Sequence, residues 1–202
     1  MSRRKKGGVS VITLGLAGIL TAALGSSAPA EQGDARPALR AQGISQGYHL
    51  AGTPRSDHYK VTMSPTGRFI LTSQRRPLTP ITPPPGCQVD SSHQLSCAQG
   101  LVKRLSVRLK RGRDKFVASS RFRLPIRILA GHGPDRLVGG TKDDTIYGGR
   151  GPDRLLGGRG DDVLFGKPGR DLIDGGPGDD YMNGGPGRDI IERGPGNDTV
   201  KR

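Results

Sequence analysis

Residues 148–156 read GGRGPDRLL, and they are one of eight consecutive nine-residue units between Ala130 and Lys201. In order, the units are AGHGPDRLV, GGTKDDTIY, GGRGPDRLL, GGRGDDVLF, GKPGRDLID, GGPGDDYMN, GGPGRDIIE and RGPGNDTVK. Position six is aspartate in all eight: Asp135, Asp144, Asp153, Asp162, Asp171, Asp180, Asp189 and Asp198. Position eight is apolar in all eight: Leu137, Ile146, Leu155, Leu164, Ile173, Met182, Ile191 and Val200.

Each unit is too short to bury a core alone, so the units must stack on one another. Three residues such as Arg154-Leu155-Leu156 can form one short strand whose middle side chain points inward. The glycines supply the left-handed backbone that the turns require. Two units then complete one coil, and stacked coils bury position eight as two facing columns. The pattern therefore predicts an all-β fold with parallel strands.

The repeat G-G-x-G-x-D-x-U-x resembles the RTX, or haemolysin-type, calcium-binding nonapeptide family. This resemblance implies a parallel β-roll in which each calcium ion lies between turns two units apart, held by two aspartates and by backbone carbonyls. The implied cofactor is Ca²⁺, and the implied ligands are the eight position-six aspartates. One edge would pair Asp135, Asp153, Asp171 and Asp189 in succession, and the other Asp144, Asp162, Asp180 and Asp198.

Four units depart from the pattern. Lys142 replaces the position-four glycine, and Lys167 replaces the position-two glycine. Ala130 and Arg193 each replace the position-one glycine of a terminal unit. Lys142 places a positive charge in a turn expected to face calcium, which puts the site at Asp144 in doubt. A disordered Gly/Pro-rich tail is the alternative for residues 130–202, although disorder does not explain the fixed apolar phase.

The first 30 residues resemble a secretory signal peptide. Basic residues 3–6 precede an apolar run from about Val9 to Leu24, and Ala28-Pro29-Ala30 fits a cleavage site. A membrane anchor is the alternative, but the run is short and interrupted by glycine and threonine. Residues 31–55 are small and polar and predict a flexible lead-in. Ser45 lies in a G-x-S-x-G match without the strand and helix that a hydrolase requires.

Residues 56–129 predict a β-rich cap on the repeat array. Alternation predicts strands at 59–63, 68–72, 104–109, 115–118 and 121–128, and Pro77 to Pro85 predicts an edge or connector. Cys87 and Cys97 predict a disulfide at a hairpin tip; a zinc site with His93 is the alternative, and it lacks a fourth ligand. Residues 109–117 resemble a degenerate unit whose Asp114 precedes Asp135 by 21 residues, out of register with a nine-residue period.

The charge is divided unevenly along the chain. Residues 130–202 hold 11 Lys and Arg against 13 Asp and Glu, a net charge of −2, and residues 1–129 hold 21 against 5, a net charge of +16. Ten of these cations lie between Lys103 and Arg127, opposed only by Asp114. This basic face could bind an anionic polymer or a cell surface, or be simply solvated. No aromatic platform accompanies it in the sequence.

No catalytic constellation is found. The four histidines, at positions 49, 58, 93 and 132, are scattered, and glutamate occurs only at Glu31 and Glu192. The sequence therefore predicts a secreted, non-enzymatic calcium-binding protein, expected to be monomeric, with no nucleic-acid partner and no transmembrane anchor. Two alternatives remain open: a polyanion-binding surface or matrix protein in which calcium is structural, and a hydrolase acting through Ser45.

Overall fold

A computed structural model of the chain describes residues 38–42, 47–75, 86–98 and 102–201, and every regular element within them is a β-strand. Nine strands precede the array: β1 Ala38–Gln42, β2 Gly47–Ala51, β3 His58–Met63, β4 Phe69–Ser73, β5 Cys87–Ser91, β6 Gln94–Cys97, β7 Arg104–Arg111, β8 Lys115–Ala118 and β9 Ile126–His132. Eight follow: β10 Arg136–Val138, β11 Thr145–Arg150, β12 Arg154–Leu156, β13 Val163–Phe165, β14 Leu172–Asp174, β15 Tyr181–Asn183, β16 Ile190–Glu192 and β17 Thr199–Lys201.

The strands form two facing sheets because successive units alternate between them. One sheet has the order β1-β2-β7-β9-β11-β13-β15-β17, and the other β16-β14-β12-β10-β8-β3-β4-β6-β5. Within the array every pairing is parallel and joins residues eighteen apart, such as Leu137 with Leu155 and Ile146 with Leu164. The predicted parallel β-roll is confirmed. It has about five coils rather than four, because β8 and β9 form a coil ahead of the eight units.

Position eight fills the interior of the roll, as the sequence predicts. Six of these side chains are fully buried: Leu137, Ile146, Leu155, Leu164, Ile173 and Met182. Ile191 and Val200, in the last coil, are only partly buried because no further coil covers them. The core continues without a break into the N-terminal part, where Leu105, Phe116 and Ile128 are also fully buried.

Glycine is favoured at positions two and four because the turns of successive coils touch. Gly149 and Gly151 have φ angles of +115° and +128°, and a Cβ on either would overlap the carbonyl of Gly131 or Gly133 in the preceding coil. Lys167 occupies a position-two slot with φ +76°. A non-glycine residue in this left-handed region costs roughly 1–2 kcal/mol, so this unit folds with some backbone strain.

The N-terminal part is built from hairpins joined to the roll. Strands β3 and β4 pair antiparallel around Ser64-Pro65-Thr66-Gly67, as predicted, and β5 pairs with β6. The disulfide Cys87–Cys97 joins β5 to β6, so the zinc alternative with His93 is wrong. Strand β3 pairs in parallel with β8, which connects these hairpins to the coils.

Two sequence-based expectations are corrected here. Residues 38–42 and 47–51 are strands rather than a flexible lead-in, since β2 pairs in parallel with β7 and buries Leu50. The predicted strand at 121–128 begins only at Ile126; Phe122 lies in a turn closed by a bond from its N–H to the Ser119 carbonyl, and its ring is still fully buried.

Several expectations concern residues outside those that the structure describes. These are the signal peptide at residues 1–30, Ser45, and the proline-rich connector at 77–85. Within the described residues, no helix has the length and hydrophobicity needed to cross a membrane.

Candidate metal centre

The position-six aspartates stack in two columns at opposite edges of the roll. We define the odd column as Asp135, Asp153, Asp171 and Asp189, and the even column as Asp144, Asp162, Asp180 and Asp198. In each column the backbone N–H of one aspartate donates to Oδ1 of the aspartate eighteen residues later, at 2.9 Å from Asp135 to Asp153 and 2.8 Å from Asp162 to Asp180. The predicted ligands are therefore brought together in consecutive pairs.

Most of these carboxylates are buried. Their exposed fraction is at most 4 % at six of the eight positions, while Asp189 and Asp198 in the last coil are partly exposed. The second oxygen, Oδ2, is the unusual one, because it is buried and has no hydrogen-bond donor in Asp135, Asp153, Asp162, Asp171 and Asp180. A buried acceptor without a donor costs about 1–3 kcal/mol, and more when it is charged. Each column thus carries a row of oxygens that need a proton or a cation.

The position-one glycines leave room for these oxygens. A Cβ on Gly148 would overlap Oδ2 of Asp153, and one on Gly166 would overlap Oδ2 of Asp171. A side chain at either of these two positions would collide with the carboxylate, whereas the unit of Asp135 has Ala130 at position one. The glycine is thus kept there for the carboxylate as well as for the turn.

Burial raises the pKa of the six buried aspartates of the columns above the usual value. The pKa rises to about 8 at Asp162, to about 7 at Asp153, and to about 6 at Asp135 and Asp171. Loss of hydration is the main cause, the bond from the stacked backbone N–H opposes it, and neighbouring carboxylates of the column raise the pKa of Asp153 and Asp162 further. Asp153 and Asp162 therefore hold a proton for part of the time near neutral pH unless a cation replaces it.

Asp144 differs from the others. Its Oδ1 accepts from the N–H of Ile126 at 2.7 Å, and its Oδ2 accepts from the N–H of Gly140 at 2.5 Å, so both oxygens have donors. The position above it holds Ile126 instead of an aspartate, and Gly140 lacks the positive φ angle that every other unit of the array has at position two. Asp144 is thus the least suited of the predicted ligands to hold a cation.

The even edge carries a further column of acidic residues. The N–H of Asp161 donates to Oδ1 of Asp143 at 3.1 Å, and the N–H of Asp179 to Oδ1 of Asp161 at 2.9 Å. These position-five side chains are exposed, whereas the odd edge has Pro134, Pro152, Arg170 and Arg188 at the same position. The even edge is therefore the more negative of the two.

The donor set fits a hard cation held partly by the backbone. Among the described residues, no group of three or more His, Cys, Asp or Glu side chains comes close enough to hold a metal by side chains alone. Calcium takes six to eight oxygens and accepts carboxylates and backbone carbonyls together. Paired carboxylates with unpartnered oxygens, set in turns rich in carbonyls, match that requirement and lack the nitrogen and sulfur ligands of zinc.

The odd column extends beyond the predicted residues. The N–H of Asp57 donates to Oδ1 of Asp114, and the N–H of Asp114 donates to Oδ1 of Asp135, both at 2.7 Å. Asp114 was expected to be out of register with the array, but in the structure it stacks on Asp135. The extra residues of the 21-residue spacing lie in the loop at 119–125 between β8 and β9, outside the paired strands. Asp57 has a sequence signal that was missed: GTPRSDHYK at 52–60 keeps glycine at position one, aspartate at six and an apolar residue at eight.

Comparison with known proteins agrees with this geometry. The family model described as RTX calcium-binding nonapeptide repeat (4 copies) matches residues 130–164 and 165–200. No curated protein and no solved structure matches the chain.

The raised pKa values predict that acid partly replaces calcium. Because the folded-state pKa lies above the unfolded value, this contribution to stability is fully present below about pH 4 and is lost as pH rises through about 6 to 8. In chelator, we expect a higher thermal midpoint by circular dichroism at pH 5 than at pH 8.5. A higher midpoint at pH 8.5 would contradict the assignment of these carboxylates as buried and unpaired.

Proposed function

We propose that the protein is a secreted calcium-binding protein whose β-roll folds and is stabilised when calcium binds, because residues 130–164 and 165–200 match the RTX calcium-binding nonapeptide repeat. The observation that carries this proposal is the set of buried Oδ2 atoms without donors in five position-six aspartates. Calcium supplies the positive charge that these oxygens need in place of a hydrogen-bond donor. The ions are held along the two columns, between aspartates eighteen residues apart, with Asp144 contributing least.

The energetics favour coupling between binding and folding. Two carboxylates about 5 Å apart repel by roughly 3 kcal/mol at an effective dielectric of about 20, and this repulsion recurs at each step of a column. An ion that binds only the folded state stabilises it by about 2.7 kcal/mol per site at a concentration 100 times its Kd. Several sites together would contribute a free energy comparable with the net stability of an ordinary domain, which is about 5–15 kcal/mol.

Two features support secretion. The first 30 residues have the charge and hydrophobicity pattern of a signal peptide, and the Cys87–Cys97 disulfide suits an oxidising compartment. Calcium modules outside the cell typically bind with Kd values of about 10⁻⁴ to 10⁻³ M. We therefore place the proposed sites in that affinity range.

Calcium titration of the purified protein tests the coupling. In chelator at pH 8 we expect the circular dichroism of the array to be largely that of an unfolded chain, with β signal restored by calcium and not by equal magnesium, which prefers fewer protein ligands in a stricter geometry. Asp162→Asn, which removes one carboxylate from two adjacent pairs, should raise the calcium midpoint several-fold.

The matched control is Asp174→Asn, which makes the same substitution at position nine of the array, outside the two columns. Asp174→Asn should leave the calcium midpoint close to that of the parent protein. Identical spectra in calcium and in chelator at pH 8 would refute the coupling, and equal shifts for the two variants would refute the assignment of the columns.

A second candidate function is the binding of a polyanionic polymer by the outer face of the eight-stranded sheet. Arg104, Arg108 and Lys110 of β7 and Arg127 of β9 are exposed on this sheet. The specific observation is that β7 and β9 pair in parallel, which brings these cations together on one face. An aromatic column lies beside them. The rings of Tyr147 and Phe165 stack 4.9 Å apart with an interplanar angle of 8°.

Cations border this aromatic column. The Arg127 guanidinium lies 5.6 Å from the ring centroid of Tyr147, and Nζ of Lys167 lies 5.0 Å from that of Phe165. The ring faces are occupied by each other and by these cations, which contribute about 0.5–1 kcal/mol each at exposed sites. A partner would consequently be recognised by its negative charge rather than by stacking on the rings.

Retention on a heparin column in the presence of calcium tests this candidate. We expect the double variant Arg108→Glu/Arg127→Glu to elute at clearly lower salt than the parent protein, because both side chains lie on the basic sheet face. The control, Arg136→Glu/Arg154→Glu, makes the same charge change at exposed positions of the opposite sheet. Equal shifts for the two double variants would mean that only net charge matters, and this candidate would be rejected.

A further inference from the structure

The degenerate unit at residues 109–117 has the backbone of a complete repeat. Lys110 at position two and Gly112 at position four have φ angles of +84° and +137°, close to the +115° and +121° of Gly131 and Gly133 in the next odd unit. A lysine in the left-handed region is unusual, and Lys167 in the array adopts the same conformation at the same position. The turn before Asp114 therefore presents its carbonyls in the same way as the turns of the array.

The hydrogen bonds of this unit also repeat those of the array. The N–H of Gly112 donates to the carbonyl of His132 at 2.9 Å, as that of Gly133 does to Arg150 at 2.7 Å. The N–H of Arg136 donates to the carbonyl of Asp114 at 2.9 Å, as that of Arg154 does to Asp135 at 2.8 Å. The three insertion residues in the loop at 119–125 leave this stacking undisturbed.

The carboxylate of Asp114 has the same burial and the same hydrogen-bonding pattern as the buried carboxylates of the array. Only 1 % of the residue is exposed, its Oδ1 accepts from Asp57, and its Oδ2 is buried without a donor. Oδ2 of Asp135, one coil further on, is buried without a donor too. One oxygen without a donor thus lies in the cap, and a second lies next to it in the first matched repeat.

The column ends at Asp57, where the protein itself satisfies the carboxylate. Oδ2 of Asp57 accepts from the N–H of Thr53 at 2.6 Å, and Oδ1 accepts from the Thr53 hydroxyl at 3.0 Å. The turn at 52–57 contains no residue with positive φ, so its carbonyls are not arranged as in the repeats. Asp57 therefore closes the column with hydrogen bonds, and the last pair with unpartnered oxygens is Asp114 with Asp135.

The geometry assigns a further calcium site to Asp114 and Asp135, outside the residues that match the repeat family. The site rests on the proposed function, because it uses the same ion. It would join β8, in the cap, to β10, the first strand of the array in the same sheet, across one ion. Calcium would then stabilise the cap as well as the repeats, although the sequence spacing of 21 hides this ligand.

Counting bound calcium in the full chain tests the assignment. By equilibrium dialysis at saturating calcium, we expect Asp114→Asn to bind one ion fewer than the parent protein, and Asp135→Asn two fewer, because Asp135 belongs to two pairs. The control, Asp90→Asn, alters an exposed aspartate of β5 and should bind the same number as the parent. Circular dichroism in calcium confirms that each variant is folded.

The outcomes separate the two proposals. If the parent protein binds no calcium, the proposed function and this site both fail. A second outcome is that the parent binds calcium, that Asp114→Asn binds the same number of ions as the parent, and that Asp135→Asn loses only one ion. In that case only the site between Asp114 and Asp135 is rejected, and the proposed function stands. Should Asp114→Asn fail to fold, anomalous scattering from crystals of the parent protein grown in calcium decides. A peak between the carboxylates of Asp114 and Asp135 supports the site, and peaks only from Asp135 onward overturn it.

Discussion

The structure depends on one contact repeated along each edge, the bond from the backbone N–H of an aspartate to the carboxylate of the aspartate one coil further on. This bond places a carboxylate in every turn, buried in all but the last coil, and it leaves the second oxygen of most of them without a donor. In a β-roll built in this way the strands have their hydrogen-bond partners, whereas carboxylate oxygens at the two edges lack a donor. The proposed function therefore ties folding of the array to the neutralisation of those edges by a proton or by calcium.

The apolar interior is too thin to compensate for that charge. Each unit buries one position-eight side chain, and the last coil buries Ile191 and Val200 only in part while Ile190 stays 54 % exposed. The N-terminal part has a larger core, with Tyr59, Phe69 and Phe122 fully buried and the Cys87–Cys97 disulfide. Stability should therefore decrease along the chain when calcium is absent, with the coils farthest from the cap opening first.

The array could be predicted because its chemistry is local and repeated: aspartate at position six and an apolar residue at position eight fix both the strand and the site. The other features of the structure could not be predicted, because they depend on pairing between strands that is not apparent from the spacing of residues in the sequence. Asp114 joins the odd column only because the loop at 119–125 absorbs three residues. Arg127 meets Tyr147 because β9 pairs with β11, and β2 is ordered by pairing with β7, more than fifty residues away.

Hydrogen exchange resolved along the chain tests the central claim most directly, because it reports separately on the array and on the cap. At pH 8, the account predicts that amides of β10 to β17, including those of the stacked aspartates, are protected in calcium and exchange freely in chelator. Amides of β3, β4 and β6 should stay protected in both conditions. Equal protection of the array with and without calcium would show that the buried carboxylates do not control folding, and would contradict the account.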